Sequence, residues 1–222
     1  MHLMPGLGPL IPIRARQAGA VILVSSLQFV VAMIVVQLKY PGYSDIGNYI
    51  SDLGGAHSPW ALVFDGSAIL LGLLALLGAY LLLSAFNHRL SRTLGLGFLA
   101  IAGIGAIGVG IFPETSTALG GNAHELFSDI AFIAAGLALI FLPGAMLRDT
   151  RWEGYRAFTF LLGIITLVAI VLFSTKVWGG LGPGGMERLI VAPILLWAIV
   201  VGIHLLSLPT YQRVPIAHTT LT

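Results

Sequence analysis

The sequence has no cysteine among its 222 residues. That excludes disulfides, thiolate nucleophiles and cysteine-ligated zinc, and it leaves no redox marker of compartment. Charge is scarce as well. Asp, Glu, Lys and Arg together make up 9% of the chain, against about 25% in an average soluble domain. With 57% hydrophobic residues and a mean hydropathy of +0.97, the chain is not an ordinary soluble domain. The pI of about 9.2 does not point to nucleic acid. The basic residues are scattered singly at the ends of apolar runs and form no stripe that could track a phosphate backbone.

What the chain does have is long apolar segments. A helix needs about 20 mostly apolar residues to cross a bilayer. Six segments meet that length: 17–38, 59–86, 90–112, 123–147, 155–177 and 186–208. The expected fold is therefore all-α, a polytopic six-transmembrane-helix bundle forming a single integral membrane domain over residues 1–222. The 28 glycines suit this class, because small residues let helix backbones approach closely in lipid. Arg14 and Arg16 precede the first segment as in a signal peptide, but its core is too long and no A-x-A site ends it. A retained first helix is expected.

Lys and Arg in short loops set orientation. Arg14, Arg16, Arg89, Arg92, Arg148, Arg151, Arg156 and Arg213 fall on one side, eight in all, against Lys39, Lys176 and Arg188 on the other. Both termini are expected to be cytoplasmic, in a multi-pass protein of the cell membrane. Seven of the nine acids, Asp45, Asp52, Asp65, Glu114, Glu125, Asp129 and Glu187, then lie at or near the outer face. Asp149 and Glu153 remain inside.

Acids in or near lipid must be paired, wet or used. Asp65 lies two turns into the second apolar segment and reads either as a ligand, proton or cation site or as a structural partner of a neighbouring helix. His124, Glu125, Ser128 and Asp129 open the fourth segment, with Glu125 over Asp129 at i and i+4. A carboxylate pair on one helical face calls for a cation or proton between its members. The plain alternative is that acids at a helix N-terminus answer the macrodipole, which suits Glu125 better than Asp129. Glu187 fits that dipole too. Arg188 opposes it and sits on the wrong side for its charge, so it is expected to pair with Asp52, Asp65 or Asp129, or to hold an anionic headgroup.

The connection 39–58, KYPGYSDIGNYISDLGGAHS, is rich in tyrosine. Its residues 44–53 suit a short surface helix with Ser44 as N-cap. Catalytic zinc often takes three histidines, but only His57 and His124 can reach the outer face. His88 is assigned to an inner turn, His2 and His218 to the tails, and His204 to the far end of the sixth segment. A three-histidine zinc site is not expected, while a divalent cation on outer carboxylates is compatible with the pattern. GGLGPGG lacks the Lys and Ser/Thr of a phosphate loop and reads as a flexible connection. Ala102, Ala106 and Gly110 form a small-residue stripe suited to tight helix contact. Ser25, Ser26 and Gln28 suit interhelical hydrogen bonds. Pro143 and Pro193 suit kinks.

YPGYSDIGNYISDLGG after the first segment, IFPE after the third, His124 heading the fourth and MERLIV opening the sixth occur in that order. Over most of the chain this arrangement resembles a prokaryotic six-helix membrane family, domain-of-unknown-function family 998. The resemblance singles out Tyr43, Ser51, Asp52, Leu53, Gly54, Pro113, His124, Glu187 and Arg188, and implies that the outer polar elements form one constellation. It brings no established activity. Glu114 stands where relatives often carry a different polar run, so it is given no role. A looser similarity, NYISDLG followed by an outer-rim acid, is to the eukaryotic Frag1/DRAM/Sfk1 membrane proteins. It implies a connection with membrane lipid organisation, GPI-anchor lipid remodelling or autophagy.

These readings converge on an outward-facing polar pocket, walled by the second, third, fourth and sixth helices and capped by segment 43–54. Its expected partner is a membrane lipid headgroup or similar amphiphile, bound or chemically modified. His124, Asp65 and Asp129 are the catalytic candidates, and Arg188, Asp52, Ser51, Tyr43, Glu187 and Glu125 the ligand-binding ones. The alternatives are a non-enzymatic accessory or scaffold subunit, with a homo-oligomer or membrane-complex partner, and a small cation- or proton-coupled transporter working through Asp65.

Overall fold

A computed structural model describes residues 11–86 and 90–211. His2, His88, Arg89, Arg213 and His218 lie outside the described residues. Six α-helices carry the fold: α1 (Ile13–Lys39), α2 (Ala61–Leu82), α3 (Leu90–Ile111), α4 (Ala123–Ala145), α5 (Tyr155–Ser174) and α6 (Gly182–Ser207). Each is long and apolar enough to cross a membrane. The protein is an all-α, multi-pass membrane protein. Each helix packs on its neighbour in the chain, and α6 closes against α1.

The chain enters and leaves at the same end of the bundle, where Ile11–Pro12 runs parallel to Thr210–Tyr211 and the Ile11 N–H donates to Pro209 O at 2.9 Å. We call this the basic end, since Arg148, Arg151 and Arg156 lie in its loop and at the start of α5. Trp152 plugs it. Fully buried, Trp152 stacks on Phe86 at 4.8 Å and meets His204 edge-on at 5.3 Å. Arg151 ties the same loop to the turn after α2 through Ala85 O and chelates Asp149, while His204 Nε2 hydrogen-bonds Arg151 O at 2.8 Å. Burial raises and Arg151 more strongly lowers the Asp149 pKa, leaving it below the ordinary carboxylate value.

Polar side chains in the spans work between helices, as expected in lipid. Ser25 Oγ donates to Leu71 O and Gln28 Nε2 to Ser67 O, both joining α1 to α2. On α3, Ala102 packs with Ala134 and Ala135 of α4, as the small-residue stripe implies, while it and Ala106 also line a central cavity. The close crossing with α2 falls at Gly103, where an added Cβ would stand 2.9 Å from Gly72 O. Gly110 does press on α2, at Asp65 and Ile69.

Candidate functional site

At the opposite, acidic end, α6 begins at Gly182, four residues earlier than the 186 expected. The second half of GGLGPGG is thus helix, not flexible loop. Pro183 at the first turn has the φ a helix start requires, and the new turn docks against segment 43–54. The Gly184 N–H donates to Ile46 O at 3.0 Å. Only glycine fits at 184, because a Cβ there would collide with the carbonyls of Asn48 and Asp45.

This docking also explains why residues 44–53 do not form the expected helix. Ser44 Oγ does accept from the Gly47 N–H at 3.2 Å, as a cap would. However, the carbonyls of Asp45 and Asn48 accept from Arg188 Nη1 and that of Ile46 from Gly184, so these acceptors are turned towards α6. The segment becomes a turn followed by a 3₁₀ turn over Ser51–Gly54.

Arg188 is the hub. Its Nη1 donates to Asp45 O (3.0 Å), Asn48 O (3.3 Å) and Gly184 O (3.0 Å). Its Nη2 reaches Tyr43 Oη at 2.8 Å and Asp45 Oδ1 at 2.6 Å, and the guanidinium lies over the Tyr43 ring at 5.6 Å. The carboxylate partner is Asp45, not Asp52, Asp65 or Asp129. The dipole cost of a cation near a helix start is met by carbonyl oxygens of the docked segment. Tyr43 passes the contact on, donating to Tyr49 O at 2.8 Å. Burial, opposed by Arg188, pushes the Tyr43 phenol up to about 12, so it remains a donor at neutral pH.

Beside this hub, three carboxylates gather around the 49–55 turn. Glu187 is only 5% exposed, and its Oε2 accepts from the Ile50 N–H at 2.5 Å. Asp52 accepts from Asn48 Nδ2 at 3.0 Å and from the Tyr49 N–H at 2.9 Å. Ser51 Oγ donates to Glu114. Burial raises the Glu114 pKa; the Ser51 hydrogen bond and His124 oppose the rise, and Asp52 adds to it. Tyr49 is raised as well, by burial first and then by Glu187, Asp52 and Glu114. Glu114, given no role by the sequence, belongs to this group. Its position directly after Pro113 at the end of α3 was the available signal.

Asp65 is the fifth residue of α2, about 6 Å along it. Its side chain is 9% exposed and has no hydrogen bond or ion pair among the described residues. Gly54 lies directly over it, and a Cβ at 54 would strike Asp65 Oδ1. His124 Nδ1 hydrogen-bonds Phe112 O at 2.8 Å, and its Nε2 is buried without a partner among the described residues. Glu125 and Asp129 are exposed on α4 and join neither group. His57 is exposed and His204 is at the other end. Among the described residues no three His, Asp or Glu side chains are placed to hold a metal ion.

Beneath the turn lies a cavity of about 150 Å³ lined by α1, α2, α3, α4 and α6. Its lining is apolar except for Ser25, Ser26, Ser51, Ser128 and Glu187, so the interior is not the polar pocket expected. It is an apolar chamber with a polar roof, and α1 joins the four expected walls. Ile50, Ser51 and Glu187 form the roof, while Trp197, Ile22 and Leu99 line the depth.

A family model described as "Protein of unknown function (DUF998)" matches residues 23–204, and the chain belongs to that family. No curated protein and no solved structure matches the chain.

Proposed function

We propose that this member of the family binds an amphiphile, with the apolar chain in the central cavity and the polar group under the 43–54 segment. The observation that carries this reading is the cavity itself. Its lining on α6 runs from Glu187 to Ala198, about 16 Å of helix, and its one carboxylate, Glu187, stands with Ser51 at the acidic end of that run, while the deeper lining is apolar apart from Ser25 and Ser26. In this reading Arg188, Asp45 and Tyr43 hold the roof in place, and Glu187 and Ser51 meet the ligand. The bias of Lys and Arg between the loops supports an outward-facing roof in the cell membrane.

A second reading, chemical modification of the amphiphile's polar group, is favoured by one observation: at the same end but outside the cavity lining, the His124 Nε2 has no partner among the described residues, while Nδ1 is anchored to Phe112 O. With Nδ1 donating its proton there, Nε2 carries the lone pair a general base needs.

A brominated alkyl alcohol tests the binding reading in nanodiscs. Trp197, which lines the cavity and is 1% exposed, should be quenched by it. Ala106→Phe, which fills the cavity from α3, should abolish the quenching while the melting temperature holds or rises. Equal quenching in both proteins, or none in the wild type, would overturn the reading.

A further inference from the structure

We infer that the amphiphile taken by this cavity carries an ammonium headgroup rather than a phosphate. This inference rests on the binding reading above and adds the chemical class of the ligand.

Cations at the acidic end are few. Among the described residues Arg188 is the arginine placed beside the roof, and it is already spent; His124 is anchored to Phe112 O. Its two terminal nitrogens carry four N–H bonds and face six acceptors: the carbonyls of Asp45, Asn48 and Gly184, the Tyr43 hydroxyl, the Asp45 carboxylate and Gln37 Oε1. Lys39 and Lys176 are exposed, as is His57. No Lys, Arg or His lines the cavity among the described residues. A phosphate would enter a chamber with no free cation and meet a carboxylate.

The groups that do face inward are of the other kind. Glu187, only 5% exposed, lines the cavity with the Ile50 N–H as its one hydrogen-bond partner among the described residues. Ser51, the other polar roof residue, has its hydrogen committed to Glu114 and so offers lone pairs inward. Asp52, in the turn, and Glu114, which reaches the turn through Ser51, both act on Tyr49 together with Glu187. The roof therefore presents negative charge and acceptors to an apolar interior. A buried carboxylate without a cation is costly, and a ligand ammonium on an alkyl chain supplies what the site lacks. Three N–H donors on the ammonium match Glu187 and Ser51.

Dodecylamine, dodecanol and dodecyl phosphate, of equal chain length, separate the headgroup from the chain when each displaces the brominated alkyl alcohol. In the wild-type protein dodecylamine should bind about tenfold tighter than dodecanol, because a charge-assisted hydrogen bond is about twice as strong as a neutral one. Dodecyl phosphate should bind more weakly than either. Glu187→Gln keeps an oxygen to accept the Ile50 N–H but removes the charge, and should bring amine and alcohol to within about twofold. Should that variant fail to fold, the wild-type ranking alone still decides. Dodecanol equal to dodecylamine, phosphate tightest, or an amine preference that survives Glu187→Gln would overturn the headgroup assignment while leaving the cavity reading intact. Failure of the brominated alcohol to quench Trp197 would overturn the cavity reading instead.

Discussion

Replacing Arg188 by Met should loosen the 43–54 segment, and the size of the effect can be apportioned. The Asp45 carboxylate is the partner with the formal charge, but its side chain is 55% exposed, against 20% for Arg188. An ion pair that open to water is worth about 0–1 kcal/mol. The Tyr43 hydroxyl and the carbonyls of Asp45, Asn48 and Gly184 are less conspicuous yet more valuable. A hydrogen bond to a charged donor contributes about 1.5–3 kcal/mol where water cannot easily replace it. If water recovers about half of these four contacts, Arg188→Met costs about 3–6 kcal/mol. Two double-mutant cycles, read by denaturant unfolding in mixed micelles, test the division. Arg188→Met with Asp45→Asn should show a coupling below about 1 kcal/mol, and with Tyr43→Phe a coupling above that value. Amide exchange at Gly184, whose N–H bonds Ile46 O, should accelerate in Arg188→Met. A larger coupling to Asp45 than to Tyr43, or an unchanged Gly184 amide, would refute the assignment of Arg188 as a strut acting through neutral acceptors.

Three further outcomes follow from the geometry. Gly184→Ala should destabilise by about 1–3 kcal/mol and raise proteolysis of segment 43–54, because the new Cβ meets fixed carbonyls rather than a flexible side chain. Glu114 has a raised pKa, so the folded state binds its proton more readily than the unfolded one. Its contribution to stability is present below the unfolded value and lost as pH rises through the folded one. Glu114→Gln should therefore flatten the fall in melting temperature seen as pH rises from the ordinary Glu range towards neutrality. Asp149 is shifted the other way, so its contribution is present above the unfolded value and lost as pH falls through the folded one. Asp149→Asn should lower stability at neutral pH and remove part of the acid-induced loss, as read by Trp fluorescence of the basic end.

The fold was largely legible because lipid imposes one simple rule. Backbone groups must be satisfied within each span, so apolar runs of sufficient length become helices whatever their neighbours do. The expected segments accordingly overlap all six helices. Gln28 and Ser25 were legible for the same reason, since a polar side chain in a span finds a partner on the next helix. The start of α6 was not. Seven residues of glycine, leucine and proline carry no helical preference, and Gly182 begins a helix because segment 43–54 is there to dock against it.

The site divides in the same way. That acids would gather at one end follows from their order along alternating helices, and the structure places Asp52 and Glu187 together at a turn. Which acid answers Arg188 depends on where a loop folds back, and that is not encoded in spacing. Asp45 is 143 residues from Arg188, and its backbone oxygen serves as well as its carboxylate. Glu125 and Asp129 share the helical face their spacing dictates, but the rotation of α4 leaves that face exposed. The sequence by itself determined six spans, an acidic end and a basic end, because those properties are local or cumulative along the chain. Only the tertiary structure decided that Arg188 is consumed by a loop, that Glu187 faces an apolar chamber and that Glu114 stands beside Asp52. Those depend on helix rotation and loop docking, where a few ångströms determine which charges are paired and which remain available.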